Sequence, residues 1–132
     1  MSTSSEKTIL IVDDEPYNLA ILNELLKKYN TITADNGEDA LMYAEKNLPD
    51  LILLDIMMPE IDGFVVAKRL KLNPLTAKIP IIFVTAKSDV KSFIEGFDVG
   101  GDDYITKPYK PKHVLQIVEN HLGVSSKENA GE

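Results

Sequence analysis

The chain has 132 residues, 44% of them hydrophobic, which is enough for one sizeable core but leaves little room for two domains. A formal net charge of -7 argues against a nucleic-acid surface, because phosphate backbones are bound mainly by Lys and Arg. There is no cysteine, which excludes disulfides and thiolate metal sites. Neither a signal peptide nor a membrane-spanning apolar run is visible, so we expect a cytoplasmic protein without a membrane partner.

Short buried runs alternate with longer amphipathic stretches along the chain. Apolar runs predict buried β-strands, the second of them weaker, at residues 8–13, 30–34, 51–55, 81–85 and 103–106. Apolar residues at helical spacing predict helices at residues 16–28, 38–46, 62–72, 89–99 and 111–122, of which the fourth is weakened by glycine. Asn36 and Gly37 indicate a turn, and Asp62 is placed to cap the third helix.

About five strand–helix units with strands apolar throughout predict an α/β fold in which helices cover both faces of a parallel sheet. Right-handed crossovers favour a flavodoxin-like doubly wound (βα)5 sandwich with five strands in the order 2-1-3-4-5. The predicted domain covers residues 8–122. We expect residues 1–7 to be disordered and residues 123–132 to form a flexible tail or linker.

Chemically useful side chains stand where the predicted strands end. Asp13 and Asp14 follow the first strand, Asp55 ends the third, Thr85 ends the fourth and Lys107 follows the fifth. Because ligands of open α/β sheets bind outside the carboxyl ends of the strands, these groups are expected to converge. Carboxylates held together repel unless a cation lies among them, and oxygen ligands without a nearby histidine favour Mg²⁺ over Zn²⁺.

With a cation bound, Asp55 could act as a nucleophile, because carboxylates form acyl phosphates when the phosphoryl charge is neutralised. Lys107 would place a positive charge on the phosphoryl oxygens, and the Thr85 hydroxyl could donate a hydrogen bond to another oxygen. The residues therefore predict phosphoryl-transfer chemistry at this edge of the sheet.

At this point the chain resembles the receiver domains of two-component response regulators. The resemblance covers residues 8–122 and depends on five short motifs that occur in order at strand ends. They are IVDDEP at 11–16, LLDIMMP at 53–59, DG at 62–63, VTA at 84–86 and DYITKP at 103–108. Each motif alone is weak, but the ordered set is highly specific.

The resemblance implies that Asp55 accepts a phosphoryl group from a sensor histidine kinase or a histidine phosphotransfer protein. Asp13, Asp14, Asp55 and the Met57 backbone carbonyl would hold Mg²⁺, for which Mn²⁺ is a substitute. Thr85 and Lys107 would contact the phosphoryl group, and the bond from Lys107 to Pro108 is expected to be cis, an isomer that is inexpensive only before proline.

The same resemblance makes Tyr104 a switch residue whose ring turns inward as Thr85 moves toward the phosphate. The output face would be formed by the fourth helix, fifth strand and fifth helix, with a downstream effector protein or a fused output domain as its partner and a phosphorylation-dependent homodimer as one outcome. The protein would be a signalling switch and not an enzyme with its own substrate. Helical geometry suggests these output residues: Lys91, Glu95, Tyr109, Lys112, His113 and Gln116.

Several of these residues also have plainer interpretations. The acidic pair before Pro16 could cap the first helix, and Tyr104 could simply pack in its strand. His113 and His121 are interpreted as surface residues, because neither has a ligand-like partner at close spacing. Met57 and Met58 are expected to pack in their loop, although they could also form a soft contact surface.

Two other functional classes compete with the signalling switch. A haloacid-dehalogenase-type phosphatase shares aspartyl-phosphate chemistry, but it normally has a second acid where this chain has Met57. A flavodoxin or a docking module is the second alternative. Flavodoxins need a hydroxyl- and glycine-rich phosphate loop where this chain has Asp-Asp-Glu, and a docking module would be expected to lack a key residue. A P-loop is absent.

The lifetime of the phosphorylated form depends on residues beside the phosphoacceptor in this family. An apolar Met57 should orient a hydrolytic water poorly, which leads to the hypothesis of slow self-dephosphorylation. Lys87, two residues after Thr85, makes the direction of the effect less certain.

Overall fold

The computed structural model describes residues 6–86 and 90–123, and only the backbone of residues 90–93. Five strands and five helices alternate along the described chain. All four strand pairs are parallel, and the order is β2-β1-β3-β4-β5, which confirms the predicted doubly wound sheet. The elements are β1 Thr8–Val12, α1 Pro16–Leu25, β2 Asn30–Ala34, α2 Gly37–Asn47, β3 Leu51–Asp55, α3 Gly63–Leu72, β4 Ile81–Thr85, α4 Val90–Asp98, β5 Asp103–Thr106 and α5 Pro111–Leu122.

Helices bury both faces of the sheet, and successive side chains of each strand point alternately toward the two faces. Leu10 and Leu54 belong to a cluster that packs under α2 and α3. Ile11 and Leu53 belong to a second cluster that packs under α1 and α5. This double covering explains why β3 is buried throughout and why β3 and β4 are apolar up to the polar residues that end them, Asp55 and Thr85.

Helix ends follow the capping signals of the sequence in most places. The Asn36 side chain accepts a hydrogen bond from the Asp39 N–H at the start of α2, and the Asp62 side chain accepts one from the Val65 N–H at the start of α3. Proline occupies the first turn of α1 and of α5, where its missing N–H has no intrahelical partner to lose.

The first helix ends three residues earlier than predicted, at Leu25 and not at residue 28. Its last turn tightens, since the N–H groups of Lys27 and Tyr29 donate to carbonyls three residues back, those of Glu24 and Leu26. This turn brings Tyr29 into the cluster under α1 and α5 and leads directly into β2.

The register of the sheet brings together the ends of the strands that carry the predicted site residues. Val12 pairs with Leu54, Asp55 pairs with Val84, and Thr85 pairs with Thr106. The residues that follow β1, β3, β4 and β5 therefore lie along one edge.

Some expectations concern residues outside the described ranges. The predicted disordered start and flexible tail fall there, apart from residues 6, 7 and 123, and so does Lys87. Within residues 6–86 and 90–123, no helix is long and apolar enough to cross a bilayer.

Truncation of a buried strand residue should destabilise the domain strongly. Leu53 is 0% exposed in the central strand, so Leu53→Ala should lower the free energy of unfolding by about 2–5 kcal/mol. Leu72 at the end of α3 is 74% exposed, so Leu72→Ala should change the free energy of unfolding by less than about 0.5 kcal/mol. Urea titrations of both variants test this contrast, and equal effects would contradict the described core.

Candidate functional site

Three carboxylates meet at the edge formed by the ends of β1 and β3. One oxygen from each of Asp13, Asp14 and Asp55 lies within 4.8 Å of the other two. Asp13 and Asp55 are almost completely buried, at 1% and 2% exposure, while Asp14 is partly exposed. Within the described ranges, this is the one group of three acidic or histidine side chains close enough to share a cation.

Lys107 supplies the positive charge that faces these carboxylates. Its Nζ lies 3.2 Å from Asp13 Oδ2 and 3.5 Å from Asp55 Oδ1. The Lys107 backbone is held in place because its N–H donates to the Thr85 carbonyl at 2.9 Å. One ammonium group cannot balance three ionised carboxylates, so the site retains a negative charge that favours a further cation.

Burial makes Asp55 an unusually weak acid in this arrangement. Loss of water, and after it the negative charge of Asp13, raise the pKa of the Asp55 carboxyl to about 6, although the Lys107 ammonium acts in the opposite direction. Burial alone would lower the pKa of the Lys107 ammonium, but Asp55 and Asp13 together outweigh burial and raise it. Lys107 therefore remains charged, whereas the charge of Asp55 depends on what else occupies the site.

The backbone around Asp55 is held by the loop that leads into α3. The Met57 N–H donates to Asp55 Oδ1 over a long 3.4 Å, and the Gly63 N–H donates to the Ile56 carbonyl at 3.0 Å. A Cβ at position 63 would lie 2.3 Å from the Asp55 carbonyl oxygen, so only glycine allows α3 to begin this close to β3. Gly63 is thus a structural determinant of the site whose close approach could not be inferred from its place after the capping Asp62.

The acidic pair after β1 does not act as a conventional helix cap. The residue at the N-cap of α1 is Glu15, whose side chain makes no capping hydrogen bond. Asp13 Oδ1 instead accepts a hydrogen bond from the Glu15 N–H at 3.0 Å, while Asp13 Oδ2 faces Lys107. Both oxygens of Asp13 are therefore oriented by the protein.

The donor set of this cluster fits Mg²⁺ better than a softer metal. All three side chains offer carboxylate oxygens, which are the ligands that Mg²⁺ prefers, and Asp14 is open enough to admit metal-bound water. The chain has no thiolate to offer, and the cluster contains no imidazole.

The two predicted switch residues lie on neighbouring strands. Thr85 is fully buried at the end of β4, and Tyr104 on β5 is 7% exposed. The Tyr104 ring packs inward between two other rings, with centroid distances of 5.6 Å to Phe83 and 6.0 Å to Phe97.

The two consecutive methionines after Asp55 have opposite environments. Met58 is buried in the cluster under α2 and α3, as expected for a residue that packs its loop. Met57 is 55% exposed beside the phosphoacceptor candidate, so the expectation that it packs in its loop is wrong.

Tyr109 lies elsewhere than helical geometry suggested. The bond from Lys107 to Pro108 is cis, as expected, and Tyr109 follows it, with its ring partly buried against the cluster under α1 and α5. Burial raises the pKa of the Tyr109 phenol, with Asp13 and Asp55 adding to the shift, so this group stays protonated. Tyr109 therefore lies partly buried in the segment between β5 and α5 and not on a helix.

An apolar groove of about 730 Å³ runs beside the site, between α1 and the segment that follows β5. It reaches the carboxylate cluster at Lys107. Its lining residues are Glu15, Tyr17, Asn18, Ile21, Leu25, Ala86, Lys107, Pro108, Tyr109 and Pro111.

The remaining output candidates are mostly exposed. Glu95 lies on α4, and Lys112, His113 and Gln116 lie on α5, all at the surface. The Lys91 side chain is outside the described residues. His121 is partly exposed and has no ligand-like partner at close sequence spacing, as expected, but its Nε2 lies 3.0 Å from Asp103 Oδ2, which is 18 residues away in sequence.

Comparison with known proteins identifies the class of this domain. Residues 9–119 match the family described as the response regulator receiver domain. The chain is 44% identical over 110 residues to the alkaline phosphatase synthesis transcriptional regulatory protein PhoP of Bacillus subtilis, covering 82% of this chain and 45% of PhoP. The chain belongs to the receiver domain family of two-component response regulators.

Solved structures agree with this assignment. The chemotaxis protein CheY4 of Vibrio cholerae superposes with a TM-score of 0.86 at 28% identity, covering 89% of this chain and all of that chain. The receiver domain of a sensor histidine kinase of Pseudomonas aeruginosa gives a TM-score of 0.83 at 26% identity, covering 91% and 100% of the two chains. That structure contains a magnesium ion coordinated in its active site cleft.

The chain matches only part of each of these curated relatives. The chain spans about half the length of the curated relatives that it matches, or less. It is a signalling domain by family, with the predicted fold and with the predicted acidic cluster at the predicted edge.

The raised pKa of Asp55 predicts a specific dependence of stability on pH in metal-free solution. In the unfolded chain Asp55 ionises near its ordinary pKa of 3.8, whereas in the folded domain it ionises at about 6. Between these values the unfolded state releases the proton first, so the Asp55 contribution makes the domain less stable as pH rises, and it levels off above about 6.

Asp55→Asn cannot ionise and should lack this contribution. We expect the stability advantage of Asp55→Asn over the wild type to grow from about pH 4 to about pH 6 and then to remain constant. Denaturant titrations with a chelator present measure the difference between the two proteins, in which the ionisable groups distant from Asp55 cancel. A difference that does not vary with pH would contradict the shifted pKa.

Proposed function

We propose that Asp55 accepts a phosphoryl group in a magnesium-dependent reaction, with a sensor histidine kinase or a histidine phosphotransfer protein as the donor. The observation that carries the proposal is the placement of a buried Asp55 within 4.8 Å of two other carboxylates and 3.5 Å from Lys107. This arrangement would hold one nucleophile, a cation and a fixed positive charge together at one edge of the sheet.

The transfer is a displacement at phosphorus. An oxygen of the Asp55 carboxylate forms the new P–O bond while the P–N bond of the donor phosphohistidine breaks and its electron pair returns to the imidazole. Asp13, Asp14, Asp55 and the Met57 carbonyl would hold Mg²⁺, whose charge would neutralise the phosphoryl oxygens and favour the ionised form of Asp55. Mn²⁺ should substitute, because it accepts the same oxygen ligands.

Lys107 and Thr85 have separate roles in this proposal. Lys107 already faces Asp55 and Asp13, and its raised pKa keeps it protonated when the negative phosphoryl group arrives. Its ammonium can then move from carboxylate to phosphoryl oxygen without leaving the site. The Thr85 hydroxyl, at the end of the neighbouring β4, would donate a hydrogen bond to a second phosphoryl oxygen.

Phosphorylation is proposed to act on the surface formed by α4, β5 and α5. Movement of Thr85 toward the phosphoryl group would favour the inward position of the Tyr104 ring, which is the position found here. The recipient of the signal would be a downstream effector protein or a fused output domain, and phosphorylation-dependent pairing of two copies is a further consequence. The domain would act as a signalling switch that catalyses only its own phosphotransfer and slow dephosphorylation.

The phosphoacceptor role can be tested by intact-mass spectrometry. After incubation with Mg²⁺ and acetyl phosphate, the wild type should gain one phosphoryl group on Asp55, because the carboxylate, the cation site and Lys107 are already assembled. Addition of a chelator before the phosphodonor should abolish the gain. Phosphoramidate provides a second small donor with a P–N bond.

The matched control is Asp55→Asn, which keeps the size of the side chain but removes the nucleophile. It should gain no mass under the same conditions. A mass increase in Asp55→Asn would place the modification elsewhere, and no increase in the wild type, together with no binding of beryllofluoride, would favour a docking module instead.

The side chain of Met57 should influence how long the phosphorylated form persists. Met57 is 55% exposed beside Asp55 and cannot hydrogen-bond to an attacking water, so the wild type should lose its phosphoryl group slowly. Met57→Asn supplies an amide that can orient this water and should shorten the half-life by several-fold. The decay of the phosphorylated mass after removal of the donor measures this, with Met42→Asn on the exposed face of α2 as the control. An unchanged half-life in Met57→Asn would contradict the assigned role.

A further inference from the structure

Gly96 on α4 lies in unusually close contact with the ring of Tyr104. A Cβ added at Gly96 would lie 2.3 Å from the Tyr104 hydroxyl oxygen and 2.8 Å and 2.9 Å from two carbons of its ring. These distances are far below ordinary van der Waals contact, so no side chain fits at position 96 while the Tyr104 ring stays where it is. The bare backbone of Gly96 forms one wall of the space that the ring fills.

The ring in this space belongs to a row of aromatic side chains. Ring centroids are 5.2 Å apart between Phe64 and Phe83, 5.6 Å between Phe83 and Tyr104, and 6.0 Å between Tyr104 and Phe97. Phe64 and Phe83 are buried, whereas Phe97 is 53% exposed on α4. The Tyr104 ring therefore lies between the buried rings under α3 and the exposed Phe97 ring on α4.

We propose that Gly96 is a positioning residue for Tyr104, and that the absence of a side chain at position 96 sets how readily the ring occupies its inward position. This proposal rests on the proposed function, in which phosphorylation of Asp55 favours the inward ring. A side chain at position 96 would shift the equilibrium outward and weaken the coupling between Asp55 and the surface of α4.

The local hydrogen bonds indicate that the ring, and not the helix backbone, would yield to such a side chain. The Gly96 carbonyl accepts a hydrogen bond from the Gly101 N–H at 2.8 Å, which ties the end of α4 to the segment before β5. The part of Tyr104 that lies against position 96 is the far end of its side chain, the hydroxyl and the adjacent ring carbons. This end can move away by rotation about the Cα–Cβ bond. Rotation carries the ring toward solvent and away from Phe83.

The first test is a double-mutant cycle of stability. Alanine is a better helix former than glycine, so Gly96→Ala should stabilise α4 wherever no ring opposes it. In the Tyr104→Val background, Gly96→Ala should therefore raise the melting temperature. With Tyr104 present, the same substitution should lower the melting temperature or raise it clearly less. Equal effects in the two backgrounds would overturn the proposal.

Two further variants keep the cycle interpretable. Tyr104→Phe removes only the closest contact, that of the hydroxyl, and should give an intermediate result; it replaces Tyr104→Val if that variant does not fold. Gly101→Ala is the matched control, because its Cβ would lie equally close, at 2.3 Å, to the fully buried Phe83 ring. Gly101→Ala should lower the melting temperature in both backgrounds.

The second test measures the coupling to the site with beryllofluoride, a phosphoryl mimic, in the presence of Mg²⁺. Gly96 is not one of the residues proposed to hold the metal or the phosphoryl group, so a purely structural role would leave the affinity unchanged in the folded variant. We expect Gly96→Ala to bind beryllofluoride about threefold to tenfold more weakly than the wild type, because part of the binding free energy must move the Tyr104 ring inward. Unchanged affinity would overturn the proposal.

The failure of this inference can be told apart from failure of the proposed function. If the wild type neither binds beryllofluoride nor gains a phosphoryl group, the proposed function fails and the regulatory role of Gly96 fails with it. If the wild type does both and Gly96→Ala behaves identically, with the same stability change in the two Tyr104 backgrounds, only the role of Gly96 is refuted.

Discussion

The structure depends on the burial of two carboxylates, Asp13 and Asp55, beside each other at the ends of adjacent strands. Both are removed from water, and the charge of Asp13 raises the cost of ionising Asp55, so the arrangement favours a positive charge nearby. Lys107 provides one such charge. A lysine suits this position because only a long side chain from the segment after β5 can reach Asp13, which lies on the far side of β3. The remaining negative charge favours a small hard cation among the carboxylates.

The strand order is what allows this arrangement to form. With β3 between β1 and β4, the nucleophile candidate stands between the acidic pair and Thr85, and β5 beyond β4 delivers Lys107. Gly63 allows α3 to begin close to β3, and in the loop before it the Met57 N–H donates a hydrogen bond to Asp55. Apolar strands bury the sheet on both faces, so the polar groups at the carboxyl edge are held by a rigid support.

Most of the fold and the composition of the site could be predicted because the signals are local. Apolar runs that end in Asp13, Asp55 and Thr85 report both a buried strand and its chemically active end. Contacts between distant residues could not be predicted in this way. The pairing of His121 with Asp103 depends on how α5 lies against β5, and the inward turn of Tyr109 depends on the path of the chain after Pro108. From the sequence alone, glycine in the fourth helix indicates a weak helix. In the structure, Gly96 is required because the Tyr104 ring packs directly against it.

The geometry of β4 shows how an event at Asp55 could reach the surface without a long pathway. Phe83 and Thr85 are two residues apart on one strand, so their side chains point to the same face of the sheet. Phe83 pairs in register with Tyr104, and their rings are in contact on that face. Beyond Tyr104 stands Phe97, which is already half exposed on α4. Under the proposed function, a shift of Thr85 toward Asp55 would occur one strand away from the Tyr104 ring. A ring with an inward and an outward position would then be sufficient for a switch, because the phosphoryl group and whatever binds α4 would both bias its equilibrium.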